Sequence, residues 1–378
     1  MRPRLFLSLL AYVLWLGAEH PVPAAEAFSY PRPGTPLSFP RDHGSHPDFK
    51  IEWWYVTGHL SPKGDARRRL GFQATFFRSA GEHPGAPNAE PSAILANQPI
   101  YLAHMAVVDS ATGRFLFQER LNRSGWDAGS SVETLDVRNG NWTLRFADPN
   151  SSNRILLAGS VRSDALFTLA LTPRKPLVRF GRDGISRKGA DPLASSYYLT
   201  FPRLSAEGSM KIGGEEFAVQ GDAWMDHEIS SSQLTADQVG WDWAGIQLKD
   251  GREIMAYRMR LANGATDPYS TLAWVNAAGK PEHFGAEQFR WKPLRSWKSP
   301  ATGAEYPNEV EITALDPATG KQTVLHLVPV ALNQELTGGL GGVAYWEGAC
   351  RVLDAEGKEI GSAYLELTGY AGKITVLQ

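Results

Sequence analysis

The chain has 378 residues, a length that accommodates two domains of ordinary size. Its 38 basic and 40 acidic side chains leave a formal charge of −2, far from the positive field that nucleic-acid binding requires, so no nucleic-acid partner is expected. A hydrophobic fraction of 43% excludes a generally disordered polymer, and the single cysteine excludes any internal disulfide.

Residues 1–27 have the pattern of a signal peptide. Arg2 and Arg4 supply positive charge, Leu5 to Gly17 form an apolar run too short for a stable membrane span, and Ala24, Ala25 and Ala27 offer cleavage sites. No later run is long enough to cross a bilayer, so the mature protein is expected to be secreted or periplasmic, with no stable membrane anchor.

Next, Asp42-His43-Gly44-Ser45-His46-Pro47-Asp48 gathers two histidines and two aspartates at a spacing that matches no zinc signature, and no metal is expected there. Strand-length segments rich in aromatic and branched residues then follow: Trp53 to Leu60, Leu70 to Phe77, Tyr101 to Val108, Thr143 to Phe146, Leu166 to Leu171, Tyr197 to Phe201, Ile254 to Leu261, Glu309 to Ala314 and Ala363 to Tyr370. Turns in which Asp or Asn precedes Gly and a basic residue separate many of them, as in Asp109 to Arg114 and Asp316 to Lys321. Ser79 to Pro99 and Arg174 to Ala194 are longer connections, each a candidate surface loop or lid. One short helical turn is expected over Ser231 to Val239, between the two halves of the chain.

The halves resemble each other. Trp53-Trp54-Tyr55-Val56-Thr57-Gly58-His59-Leu60 aligns without gaps to Trp241-Asp242-Trp243-Ala244-Gly245-Ile246-Gln247-Leu248, and each segment leads through a glycine turn to an Arg-led strand. Antiparallel meanders escape exposed edges by closing, so an all-β chain of two tandem, lipocalin-like antiparallel β-barrels is expected: residues 28–232 in the first and 233–378 in the second.

Chemistry-bearing residues concentrate in two places. On a strand, Trp53, Tyr55, Thr57 and His59 share one face while Glu52, Trp54, Val56 and Leu60 share the other; ring surfaces with a few placed polar atoms suit a pocket for an apolar ligand. His104 shares a strand face with apolar residues, where a buried, hydrogen-bonded core histidine is the common outcome. Asp222-Ala223-Trp224-Met225-Asp226-His227-Glu228 is the second: carboxylates near an imidazole can tune it as acid or base, although alternation would point His227 away from Asp226 and Glu228. Trp241 and Trp243 share a face, and Tyr257 lies on the following strand. No nucleophile elbow, phosphate loop, dinucleotide fingerprint or His-Glu-x-x-His motif occurs, and no cofactor is expected.

Three segments in this order, Pro47 to Gly58, Asp222 to Glu228 and Gly240 to Leu248, resemble the AttH-like and carotenoid 1,2-hydratase family. The resemblance runs from about Phe39 to the C-terminus and implies tandem lipocalin-like barrels. It implies an imidazole acid or base at His227 and an aromatic partner at Tyr257, with Ile229 and Met259 where the hydratases carry Trp and Asp. Three functions follow as alternatives. One is an exported binder of an apolar, lipid or isoprenoid-like molecule, working with a membrane export system of the ABC type. The second is a cofactor-free hydratase or hydrolase that uses His227, Asp226, Glu228 and Tyr257. The third is a scaffold for a partner protein. Expected ligand contacts are Glu52, Trp53, Trp54, Tyr55, His59, His104, Trp224, Trp241 and Trp243.

Overall fold

A computed structural model describes residues 28–81, 98–340, 344–372 and 374. The expected signal segment and most of the 79–99 connection lie outside the described residues. In the first half the strands are β1 (Ile51–Pro62), β2 (Leu70–Ser79), β3 (Ile100–Asp109), β4 (Arg114–Arg123), β5 (Ala128–Ser130), β6 (Asp136–Asn139), β7 (Trp142–Asp148), β8 (Ser151–Val161), β9 (Ala165–Pro173), β10 (Val178–Arg179), β11 (Ile185–Arg187), β12 (Ser195–Ile212) and β13 (Glu215–Ser232). The second half holds β14 (Gln238–Leu248), β15 (Glu253–Leu261), β16 (Thr271–Val275), β17 (Pro281–Gly285), β18 (Phe289–Lys298), β19 (Glu305–Asp316), β20 (Lys321–Pro329), β21 (Glu335–Leu336), β22 (Tyr345–Leu353) and β23 (Glu359–Leu367).

Every strand expected from the sequence falls on one of these, although the one expected over Ala363 to Tyr370 ends at Leu367. The two halves form separate antiparallel sheets of 13 and 10 strands, curled in the lipocalin manner. In each, the opening strand pairs with both its successor and the last strand of its sheet: β1 with β2 and β13, β14 with β15 and β23. Trp53 and Trp241 therefore occupy equivalent places, which is the physical content of the internal repeat. The first sheet closes on itself through side chains, with Asn122 on β4 donating to Asn139 on β6 and the Asn139 amide donating to the Tyr101 carbonyl on β3. Turn chemistry works as expected at Gly113 and Gly320, both at positive φ, whose N–H groups donate to Asp109 and Asp316 carbonyls.

Two expectations are corrected. No helical turn forms between the halves, because Thr235 and Gln238 instead close a tight turn: the Thr235 N–H donates to the Gln238 side chain and the Gln238 N–H to the Thr235 carbonyl. The pocket expected from the aromatic strand faces is also not inside either barrel, because both interiors are filled. Trp54, Phe72, Phe76, Trp142 and Phe167 fill the first, and Trp274, Tyr306 and Trp346 fill the second. Cys350 is buried in that second core, and burial pushes its thiol up, so it behaves as a small apolar residue. A third apolar cluster, containing Tyr55, Phe180, Tyr198, Trp224, Trp243, Tyr257 and Met259, lies between the barrels. Aromatic faces that a single barrel would leave in water are covered there by the other barrel, which is why strands near the domain seam are apolar on both faces.

Candidate active site between the barrels

Strand alternation decides which side chains reach this seam. On β1, Trp54 and Val56 point into the first core, so Trp53 and Tyr55 point out of it. On β13 the same rule turns Met225 inward and Trp224 and Asp226 outward. The second barrel contributes Trp243 from β14, Tyr257 and Met259 from β15, and the outward faces of β22 and β23. Together they line a partly open pocket with about 670 Å³ of empty space, a figure that counts open solvent at its mouth. Its walls are Trp53, Phe77, Trp241, Trp243, Tyr257 and Met259, with the carboxyl groups of Asp226, Glu228, Glu347 and Glu366 set among them.

Glu347 and Glu366 face each other across the β22–β23 ladder. The Tyr55 hydroxyl donates to Glu347 Oε1 at 2.5 Å across the domain seam, whereas Glu347 Oε2 is buried with no partner among the described residues. Burial, reinforced by the Glu366 charge, pushes the Glu347 carboxyl well above the usual carboxylate range. Burial also raises Glu366 to about 7, although the Trp241 indole N–H donates to its Oε2 at 3.0 Å. Two opposed carboxylates in a dry site cannot both ionise cheaply, so this pair holds a proton near neutral pH.

Asp226 is the other perturbed acid. Burial raises it to about 7 despite donors from Thr200 (2.6 Å), Tyr198 (2.7 Å) and Trp224 (2.8 Å). The Tyr198 hydroxyl in turn accepts from the Trp243 indole at 2.8 Å, so the acid is tied to both barrels. Glu228 pairs with Lys188 at 3.1 Å and accepts from the Ser196 hydroxyl. Lys188 comes from the 174–194 connection, and its ammonium lies over the rings of Tyr198 and Tyr257, 4.7 and 4.4 Å from their centroids. That connection is thus no free surface lid: Phe180 packs against Tyr198 and Trp224, and Ser186 bonds the Tyr257 hydroxyl.

Of the residues expected from sequence, Trp53, Tyr55, Asp226, Glu228, Trp241, Trp243 and Tyr257 line the cavity. Trp224 backs its wall, bonded to Asp226 and packed edge-on against Trp243. The others go elsewhere. His227 pairs in register with Trp54 and stacks on that ring inside the first barrel, on the face opposite Asp226 and Glu228. There Nε2 of His227 bonds Glu52 Oε1 at 2.9 Å, His46 Nδ1 reaches the same oxygen at 2.8 Å, and Arg78 donates to Glu52 Oε2 at 3.1 Å. Burial would raise the Glu52 carboxyl, but the bonds from His227 and His46 and the Arg78 charge outweigh it and hold it well below its usual range. Burial lowers the His227 imidazole. Donor atoms of His46, Glu52 and His227 lie within 4.8 Å of one another and could face a metal ion, but Arg78 already supplies the balancing cation. His59 bonds the Ala363 carbonyl at 2.9 Å across the seam, and His104 bonds the Tyr345 hydroxyl at 2.7 Å.

The strand pattern missed Lys188, Tyr198, Gln73, Tyr345, Glu347 and Glu366. For the two glutamates a signal existed: Tyr345-Trp346-Glu347 and Tyr364-Leu365-Glu366-Leu367 each place an acid inside an otherwise apolar strand.

A model of the AttH-like family matches residues 30–370, nearly the whole chain. The chain belongs to the AttH-like family. Among solved structures it is similar to the AttH protein NE1406 from Nitrosomonas europaea, at 33% identity and a TM-score of 0.78 over 91% of this chain and 99% of that one. Kievitone hydratase from Nectria haematococca shares the fold at 15% identity, with a TM-score of 0.62 over 85% of this chain and 89% of that one. CghA, solved with Sch210972, does so at 12% identity and a TM-score of 0.51 over 92% and 98%. A comparison with curated proteins gave no match. As an AttH-like chain, the protein shares its two-barrel frame with at least one hydratase, a likeness of fold and not of chemistry.

Proposed function

We propose that the interdomain cavity takes an apolar small molecule, lipid or isoprenoid-like, and acts on it by cofactor-free acid–base chemistry of the hydro-lyase kind, adding or removing water. The observation that supports this best is Glu347: a buried carboxyl held protonated, one oxygen fixed by Tyr55, the other unpartnered among the described residues in an aromatic cavity. Protonating a carbon–carbon double bond, or a departing hydroxyl, needs an acid kept dry and aimed at the substrate. The aromatic walls supply binding and shield a developing positive charge. This reading moves the acid from His227, whose imidazole faces the opposite side of the sheet, to Glu347 with Glu366 and Asp226 beside it. Kievitone hydratase, by its name, hydrates its substrate, and the shared fold is consistent with the same class of reaction here. The signal-like N-terminus supports an activity outside the cytoplasm, where a membrane export system could exchange such a ligand.

The test incubates the purified protein with unsaturated and hydroxylated isoprenoid alcohols in isotopically labelled water, and follows gain or loss of water by mass spectrometry. Wild type is expected to turn over at least one, with Glu347→Gln slower by about 10²-fold or more, the usual share of a general acid. Native mass spectrometry should find the ligand on both proteins. Binding without turnover would leave a carrier and remove the enzyme; neither binding nor turnover would end both.

A further inference from the structure

We propose that Glu119, His104 and Tyr345 form a proton relay ending in the interdomain cavity, in which the Tyr345 hydroxyl is the base that takes a proton from water or substrate. The proposal deepens the acid–base reading of the cavity by supplying the half that Glu347 lacks.

Its geometry is assembled from both domains. His104 on β3 and Glu119 on β4 are direct cross-strand partners, and Tyr345 on β22 comes from the other barrel. All three are buried. His104 Nδ1 lies 2.7 Å from the Tyr345 hydroxyl. On the other side of the ring His104 Nε2 faces Glu119 Oε1 at 3.6 Å, just beyond hydrogen-bond length, and neither of those two buried atoms has a hydrogen-bond partner among the described residues. Glu119 is fixed through its second oxygen, which accepts from the Leu340 N–H at 3.0 Å. Phe77 packs edge-on against the imidazole, its ring centroid 5.4 Å away.

This arrangement selects one tautomer. A carboxylate facing Nε2 favours the proton on Nε2, which leaves the Nδ1 lone pair to accept from Tyr345. Gln73 donates to the Tyr345 oxygen from another direction, at 2.9 Å, and helps hold it at the cavity wall. Burial lowers His104 to about 3 and pushes the Tyr345 phenol well above its usual range, so both groups rest neutral, the imidazole keeps that lone pair, and the proton moves to it only as charge develops on the reacting molecule. The order carboxylate, imidazole, hydroxyl is the one that activates a hydroxyl in hydrolytic triads. Here the hydroxyl is a phenol, and Glu347 stands two residues along the same strand face, also lining the cavity.

The chemistry balances for hydration. Water loses one proton to the Tyr345 oxygen as that oxygen passes its own to His104 Nδ1, and the imidazolium formed is met by Glu119. The oxygen of water bonds to one alkene carbon while Glu347 gives its proton to the other. Return of the proton from His104 through Tyr345 to the Glu347 carboxylate restores the site, and elimination runs the same steps backwards. Tyr345 is the catalytic residue; His104 and Glu119 act through it as positioning residues.

Two measurements on the full chain test the relay. In protein carrying ¹⁵N-histidine, the His104 resonances, identified by their absence in His104→Gln, should report the neutral Nε2–H tautomer at neutral pH; the Nδ1–H tautomer overturns the proposal. Phenylmethanesulfonyl fluoride reports reactivity. A bond forms from Tyr345 oxygen to sulfur, the sulfur–fluorine bond breaks, and the phenol proton leaves through His104. Peptide mass spectrometry is expected to find Tyr345 modified in wild type, at least 10-fold more slowly in His104→Gln and several-fold more slowly in Glu119→Gln, while both variants still bind the fluorescent probe 1-aminoanthracene. Tyr345 left unmodified in wild type, or modified equally fast in His104→Gln, overturns it. A cavity that refuses 1-aminoanthracene while His104 keeps the Nε2–H form would instead sink the ligand-binding reading and leave the relay geometry intact.

Discussion

Replacing Glu366 by glutamine should make the protein more stable as pH rises, the reverse of the usual result of deleting a charged hydrogen-bonding group. In the fold, burial raises this carboxyl from 4.5 to about 7, and the Asp226 and Glu228 charges add to the shift. Between these values the unfolded chain has released the proton while the fold still holds it, so stability is full below about 4.5, falls as pH rises towards 7, and stays low above. The interval corresponds to about 3 kcal/mol carried against the fold at pH 8. Glutamine cannot ionise, and its amide oxygen can still accept from the Trp241 indole. Urea unfolding of wild type and Glu366→Gln at pH 5 and pH 8 should therefore give similar midpoints at the lower pH and a variant stronger by about 3 kcal/mol at the higher. A constant difference at both values, or a variant weaker only at pH 8, would refute the picture of a carboxyl kept protonated by burial.

Glu52→Gln should cost about 3–5 kcal/mol in urea unfolding, because buried Arg78 loses its only carboxylate partner among the described residues. The cavity should still bind an apolar fluorophore, since Glu52 faces the first barrel's interior. His227→Ala should likewise lower the unfolding midpoint, by loss of its stacking on Trp54 and its bond to Glu52, while leaving turnover within a few-fold of wild type. Gly245→Ala would place a Cβ 2.6 Å from the Trp243 ring and 3.2 Å from Trp224, so it should cost about 1–3 kcal/mol and weaken ligand affinity measured by fluorescence titration.

The fold was legible because the alternation of strands such as Trp53 to Leu60 and the Asp-to-Gly turns are local signals, and because β1 and β14 carry the same opening pattern. The side of the sheet was legible too: alternation alone separates His227 from Asp226 and Glu228. What no single strand reveals is which of its two faces meets the other barrel. Trp54 and Trp53 look alike in sequence, yet one plugs a core and the other lines the cavity. Lys188 was hidden for a different reason. It sits in a polar connection where a lysine ordinarily meets water, and its burial depends on Glu228, Tyr198 and Tyr257, which come from three other strands. Pairing of Glu347 with Glu366 was equally unreadable, because register between β22 and β23 is set by the whole sheet.

The central claim is that the working cavity lies between the barrels and not inside either one. Photo-crosslinking with a diazirine-bearing isoprenoid alcohol, read out by peptide mass spectrometry, addresses it directly. Labels on Trp53, Phe77, Trp241 or Met259 are the predicted result, competed away by unmodified alcohol. Labels concentrated on Trp54, Phe72 or Phe167, which fill the first barrel, would contradict it.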